Sequence, residues 1–315
     1  MSIKHPVVAV TGMAGAGLST VRHAFKTIFE RLSIRPSIVH GDGFRRYTDR
    51  QFEALLQEAQ STGRHISWFG PDCNHFDELE TFFRTYGETG NGITRHYAHH
   101  AEHARRLSIQ SGEFTAWAPL PQGSDILFYE GQHGGVVART WGRRQQDTSH
   151  FPKEVDRRTG KEGINVAQHV DLLIGVVPAI NLEWIQKIQR DCTKGYCTEQ
   201  KSIDTILRRM ADYVHYIVPQ FGLTDINIQR MPLVDTSNPF VSRDIPNPDE
   251  SILIVHFRDR RKYDYAHILR SIPGSRMSRA STLVVPGGAL KLLLEVICAP
   301  ILQSMMENRQ RALSA

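Results

Sequence analysis

The stretch VAVTGMAGAGLSTV, residues 8–21, narrows the possible folds more than any other part of the chain. Gly12, four residues, then Gly17 and the paired hydroxyls of Ser19 and Thr20 follow a short β-branched run. In such a loop, glycines let successive N–H groups turn inward on phosphate oxygens. The positive end of the following helix adds to that cradle. The residue after the last glycine is ordinarily a lysine that reaches the phosphates, with a hydroxyl after it that binds Mg²⁺. Here Leu18 stands in the lysine position. The sequence therefore leaves three possibilities: a plain tight turn, a decayed loop, or a working site with its cation elsewhere.

The flanking pattern favours a working loop. PVVAVT reads as a strand, and the next fifteen residues place Val21, Phe25, Ile28, Phe29 and Leu32 on one helical face. SIVHGD reads as a second strand ending at Asp42, and DILFYEG (125–131) as a third ending near Glu130. HVDLLIGVVP (169–178) is nearly continuous apolar, as a strand buried on both faces would be. Helices are expected at 48–60, 75–86, from Asn181 to Asp191, at about 202–217 and at 289–309. The 202–217 helix rests on Ile203, Ile206, Leu207, Met210 and Val214. SILIVHF and STLVVPG complete the strands. The expectation is a doubly wound α/β domain of the P-loop NTPase type. It has a mostly parallel, mixed sheet flanked by helices and lid-like insertions, and occupies residues 1–315 as one domain. The polar stretch 139–163 reads as a surface insertion.

Two acidic strand ends reinforce the loop, because carboxylates there face the crevice where ligands bind. Either Asp42 or Glu130 alone could merely cap a turn. One such acid commonly organises Mg²⁺, and another takes a proton from an attacking hydroxyl. A cation source lies in NLEWIQKIQRDCTKG, where Lys187, Arg190 and Asp191 stand at i, i+3 and i+4 on one helical face. That face suits a lid over a polyphosphate, or equally an intrahelical ion pair on a solvated surface.

The formal net charge of +5 suits anionic small molecules, and no Lys/Arg arm points to nucleic acid. Cysteines at 73, 192, 197 and 298 show neither a CxxC pair nor a His–Cys metal spacing, so reduced thiols in a cytoplasmic protein are expected. Cys192 and Cys197 could alternatively form a redox pair. No run of eighteen apolar residues predicts a membrane span.

Taken together in this order, the motifs resemble the phosphoribulokinases in their bacterial form. The resemblance runs collinearly from residue 4 to about 307 through GDGFRRY, YGETGNG, ILFYEGQHGGVV, VDLLIGVVPAINLEWIQKIQRD, VDTSNPF and LVVPGGAL. Bacterial members also lack a lysine in the loop. The resemblance implies transfer of phosphate from ATP, with Mg²⁺, to the C1 hydroxyl of ribulose 5-phosphate, giving the CO₂ acceptor of the Calvin cycle. It implies Asp42 as general base, Asp191 as a second essential carboxylate, and Lys187 and Arg190 near the transferring group. Gly12, Met13, Ala14, Gly15, Ala16, Gly17, Leu18, Ser19 and Thr20 would hold the ATP phosphates, with Ser19, Glu130 and Asp42 around the metal. Arg45, Arg46, Arg50, His99 and Lys194 would serve the acceptor. The family is also one of homo-oligomers activated by NADH and inhibited by AMP.

The acceptor side departs from the pattern. Arg45 stands where the family has a histidine, Asp49 where it has a basic residue, and Lys194 where an arginine is common. His256 replaces an arginine linked to regulation, while Arg31 and Arg258 remain; Arg208 could reach a phosphate or simply face solvent. A related kinase for another sugar phosphate or alcohol therefore stays in view, as does a nucleotide-binding protein that has lost transfer.

Overall fold

The computed structural model describes residues 3–13, 16–135, 166–193, 197–241 and 245–314. The 139–163 insertion, and with it Ala14, Gly15 and Lys194, lies outside the described residues. Strands β1 (Val7–Gly12), β2 (Pro36–His40), β5 (Ile126–Gly131), β6 (Leu172–Pro178), β7 (Ile226–Pro232), β8 (Ser251–Phe257), β9 (Arg276–Arg279) and β10 (Thr282–Pro286) form one sheet in the order β2-β5-β1-β6-β7-β8-β10-β9. β3 (Ile93–Thr94) and β4 (Ala118–Pro119) form a separate antiparallel ribbon. β2 runs parallel to β5, and β6 parallel to β7, whereas the β7–β8, β8–β10 and β10–β9 pairings are antiparallel. The sheet is mixed, as the sequence predicts. β7 and β9 have no counterpart in the sequence reading. β7 is INIQRMP, with Gln229 and Arg230 breaking the apolar run that marks its neighbours, and only Ile226 and Ile228 are buried.

The chain divides into two compact units. The first comprises residues 1–9, 36–171 and 211–223. It holds β2, β5, the β3–β4 ribbon and the helices α2 (Asp49–Ser61), α3 (Phe76–Thr89) and α4 (Ala101–Leu107). Phe52, Ala59, Ile66 and Cys73 form a core under α2, with Tyr47, Leu55, Leu56 and Trp68 packed against it. α2 starts one residue after the expected position because Thr48 caps it. The Thr48 hydroxyl accepts from Gln51 N–H at 3.2 Å, and the Gln51 side-chain oxygen accepts from Thr48 N–H at 2.9 Å.

The second unit comprises residues 10–35, 172–210 and 224–315. Here α1 (Leu18–Arg31) buries Val21, Phe25, Ile28 and Phe29 as its spacing requires, while Leu32 only closes the helix end. α5 (Ile180–Thr193) follows β6 directly. The helix expected at 202–217 is instead α6 (Glu199–Asp212) continued by a wider π-turn at Tyr213–Ile217. Of its apolar stripe Ile206 is buried, but Leu207 and Val214 are each 54% exposed. The change of pitch after Asp212 takes Val214 out of the 3.6-residue register on which that stripe was drawn, whereas Leu207, before it, lies on the outer side of α6.

A short helix α7 (Tyr265–Ser271) precedes the last strands, and α8 (Leu290–Ser314) closes the chain. By length and composition the segment Gly287–Ser314 could cross a bilayer, which the sequence reading did not anticipate. Leu293, Leu294, Ile297, Cys298 and Leu302 are buried, α8 packs along α1, and Arg31 pairs with Glu295. One face of α8 is thus packed within this unit, and length and composition alone are weak evidence for a membrane span.

Candidate active site

In the first unit, β2 stops at His40 rather than at Asp42, and Gly41–Phe44 forms one tight helical turn that carries Asp42. The turn fits there because position 41 has no side chain. A Cβ on Gly41 would lie 2.3 Å from the Tyr129 hydroxyl and 3.1 Å from the Cα of Gly131. In the β2–β5 register His40 faces Glu130, and His40 Nδ1 lies 2.9 Å from Glu130 Oε1. Glu130 is buried. His99, from the loop before α4, places Nε2 2.7 Å from Asp42 Oδ2.

Asp42 is partly exposed, its side chain 41% accessible. Desolvation pushes its pKa up. The His99 hydrogen bond and the charges of Arg45, His99 and His40 outweigh it and bring the pKa down to about 2. The group is thus a carboxylate at neutral pH, able to accept a proton from an alcohol held against it.

Arg45 ends the same turn and is buried. Its Nη1 donates to Asp49 Oδ1 at 3.0 Å, while Nε stands 3.6 Å from Asp42 Oδ1. Arg46 is committed to the loop that follows α2, donating to the carbonyl of Pro71 at 3.0 Å and lying 3.1 Å from His75 Nδ1. Arg50 is exposed on the first turn of α2. Arg95 and His133 were not singled out in the sequence. Arg95 donates to the carbonyls of Gly43 and Arg45, and its guanidinium lies over Phe114 and Trp117, so it fixes the Asp42 turn from behind. No motif could have found it, because its partners are backbone carbonyls some fifty residues earlier.

His133 lies three residues beyond Glu130, is 8% exposed, and neither ring nitrogen has a hydrogen-bond partner among the described residues. The ring meets Phe76 edge-on at 4.8 Å. Burial pushes its pKa down to about 3, against the opposing charge of Asp42. Since the folded value lies below the ordinary 6.5, this group's contribution to stability is complete above that pH. It is lost progressively as pH falls toward about 3, at ~1.4 kcal/mol per unit. Between pH 6.5 and 4.5 the melting temperature of the wild type should therefore fall more steeply than that of His133→Asn. Parallel curves would remove His133 from the acid sensitivity.

In the second unit, β1 delivers Gly12 and Met13, and α1 begins at Leu18 behind Gly17, which is left-handed at φ 91°. Ala16 N–H returns to the carbonyl of Met13 at 3.0 Å, and Thr20 N–H to that of Gly17 at 3.0 Å. A Cβ on Gly12 would stand 2.5 Å from the carbonyl oxygen of Val176 and 3.2 Å from Leu18 Cδ2. Leu18 therefore lies close over the strand end. Ser19 and Thr20 are exposed on the first helical turn, which carries no acidic residue. That is a helix N-terminus shaped for an anion.

α5 brings Lys187, Arg190 and Asp191 together as the spacing predicts. Lys187 Nζ is hydrogen-bonded to Asp191 Oδ2, and Arg190 reaches Asp191 Oδ1 through Nε at 3.1 Å and Nη2 at 3.0 Å. Asp191 is only 7% exposed and also accepts from the Ser202 hydroxyl at 3.2 Å, a partner the sequence did not suggest. Burial raises the Asp191 pKa, but its bond to Lys187 and the charges of Lys187 and Arg190 carry it below the usual carboxylate range. Both cations thus share one fixed carboxylate. Nearby Cys192 and Cys197, like Cys73 and Cys298, form no disulfide.

The model of the phosphoribulokinase/uridine kinase family matches residues 7–237. The chain belongs to that family. It is 46% identical over 314 residues to the chromosomal phosphoribulokinase of Cupriavidus necator, covering 99% of both chains. It is 44% identical over 310 residues to a probable phosphoribulokinase of Escherichia coli, covering 98% of this chain and 99% of the other. Among solved structures, phosphoribulokinase from Rhodobacter spheroides superposes with a TM-score of 0.83 at 42% identity, over 98% of this chain and all of that one.

Proposed function

We propose that residues 1–315 act as one kinase domain that phosphorylates ribulose 5-phosphate on its C1 hydroxyl, using ATP and giving ribulose 1,5-bisphosphate. The observation that carries this reading is the Asp42 carboxylate, presented at the end of β2 and hydrogen-bonded by His99 Nε2 at 2.7 Å. It stands in a chain that matches phosphoribulokinases over nearly its whole length.

In this reading the Gly12–Thr20 loop holds the ATP phosphates through backbone N–H groups and the start of α1. Asp42 accepts the alcohol proton as the hydroxyl attacks, so the base need act only once and locally. Lys187 and Arg190, oriented by Asp191, neutralise charge on the transferring group in place of the absent loop lysine. Phosphoryl transfer asks mainly for such positioning and neutralisation. The Ser19 hydroxyl, exposed on the first turn of α1, and the carboxylates of Glu130 and Asp42 are hard oxygen donors of the kind Mg²⁺ takes. When bound, Mg²⁺ would supply positive charge against the phosphates. His99, Arg50 and Lys194 serve the acceptor's phosphate, with Arg46 ordering the loop behind them.

The family resemblance further supports a cytoplasmic homo-oligomer answering to NADH and AMP, through a site that keeps Arg31 and Arg258 but has His256. One observation favours a different acceptor: Arg45 is tied to Asp49, so a cation assigned to the acceptor is already engaged.

A coupled ADP-release assay with Mg-ATP on ribulose 5-phosphate, ribose 5-phosphate, fructose 6-phosphate and uridine decides between them. Turnover confined to ribulose 5-phosphate is the expected result. Turnover on another of the four, with ribulose 5-phosphate silent, would replace the acceptor and keep the kinase.

A further inference from the structure

We infer that Arg45 is a positioning residue for the Asp42 carboxylate, locked in place by Asp49, Tyr97 and Trp68, and not a ligand of the acceptor's phosphate. The inference rests on Asp42 being the base of the proposed reaction.

Four features of the guanidinium carry it. Its carbon lies 4.0 Å from the centroid of the Tyr97 ring and 5.0 Å from that of Trp68, so aromatic rings cover it. Nη1 is held by Asp49 Oδ1 at 3.0 Å. Nε and Nη2 are sealed from solvent and have no hydrogen-bond partner among the described residues. Nε stands 3.6 Å from Asp42 Oδ1, which is ion-pair range but too long for a hydrogen bond. A phosphate arriving from solution meets an Nη1 already bonded to Asp49 and an Nε and Nη2 closed off from solvent. A small inward shift of Asp42, however, would give the buried Nε an acceptor and relieve the cost of leaving it bare.

The lock is itself anchored. The Thr48–Gln51 capping box fixes the start of α2, and Asp49 is the first residue of that helix. Asp49 holds one edge of the guanidinium while the Tyr97 ring covers its face. Arg95 binds the carbonyl of Arg45 and fixes its backbone. Asp42 is thereby gripped from two sides, by His99 on Oδ2 and by Arg45 near Oδ1. Arginine at 45 and an acid at 49 thus read as one paired change. A lysine at 45 would lack the planar fork that fits between two rings and reaches two carboxylates.

The test uses the full-length enzyme with Arg45→Gln, Asp49→Asn and Asp49→Glu. It measures kcat by ADP release and the dissociation constant of ribulose 5-phosphate by calorimetry. For a base displaced by a fraction of an ångström, kcat should fall about tenfold or more in Arg45→Gln and Asp49→Asn. The dissociation constant should stay within about threefold, and Asp49→Glu should recover most of the rate. A tenfold weaker acceptor with kcat maintained would make Arg45 a phosphate ligand and overturn the inference. Unchanged constants in both would reduce the cluster to packing and overturn it as well. If Arg45→Gln does not fold, Asp49→Asn carries the same comparison. Should the wild type neither bind nor phosphorylate ribulose 5-phosphate, the acceptor assignment fails. The inference is then judged by the crystal structure of Asp49→Asn. Asp42 displaced from His99 supports it, and Asp42 unmoved refutes it.

Discussion

Replacing Asp42 by Asn should lower kcat on ribulose 5-phosphate by ~10³-fold, within the ~10²–10⁴ range of general acid–base catalysis. The amide keeps the size of the side chain and can still meet His99, but it has no lone pair basic enough to take the alcohol proton. Binding of ATP should be nearly unaffected, because the loop from Gly12 to Thr20 belongs to a different part of the chain. The measurement is steady-state ADP release beside equilibrium binding of ATP to the same preparation. A variant retaining a tenth or more of the wild-type kcat would remove Asp42 as base and leave the tight turn at the end of β2 without its proposed role.

Replacing Lys187 by Met should cost about as much, ~10³-fold in kcat, the lower end of what one well-placed cation contributes to phosphoryl transfer. The KM for ATP should move only a few-fold, because charge on the transferring group grows in the transition state and the cation matters most there. Asp191 would keep Arg190 and the Ser202 hydroxyl, so the buried carboxylate is not stranded and the helix should remain folded. Thermal melting of the variant alongside its kinetics separates the two effects. A normal kcat would return Lys187 to the simpler description of an intrahelical ion pair and leave the missing loop lysine unexplained.

Much of this chain was legible before any coordinates. The β-branched run before Gly12 and the amphipathic spacing after Gly17 specify a strand and a helix whatever surrounds them, since period and turn chemistry are local. β1, α1, β5 and β6 accordingly lie where the pattern puts them, and the Lys187–Arg190–Asp191 face is set by helical geometry alone. Half-buried or interrupted elements were not legible. β7 carries Gln229 and Arg230 in its middle, and the π-turn after Asp212 takes Val214 out of the register of an apolar stripe and leaves it in solvent. Neither effect is written into a local periodicity.

The same division holds at the candidate site. Sequence by itself nominated the groups for which chemistry is proposed: the glycine loop with its hydroxyls, the acids at or just past two strand ends, and the cations of α5. Tertiary structure alone decided what those groups touch. Glu130 meets His40 through strand register, Asp42 meets His99 across fifty-seven residues, and Arg45 is drawn between Tyr97 and Trp68 and tied to Asp49. Burial then sets the charge of His133, whose ring has no local signal to mark it. The physical reason is one of range. Hydrogen-bonded turns and helical faces are fixed within about four residues of chain. A partner's identity and the dielectric around a charge depend on segments that only the folded chain brings together.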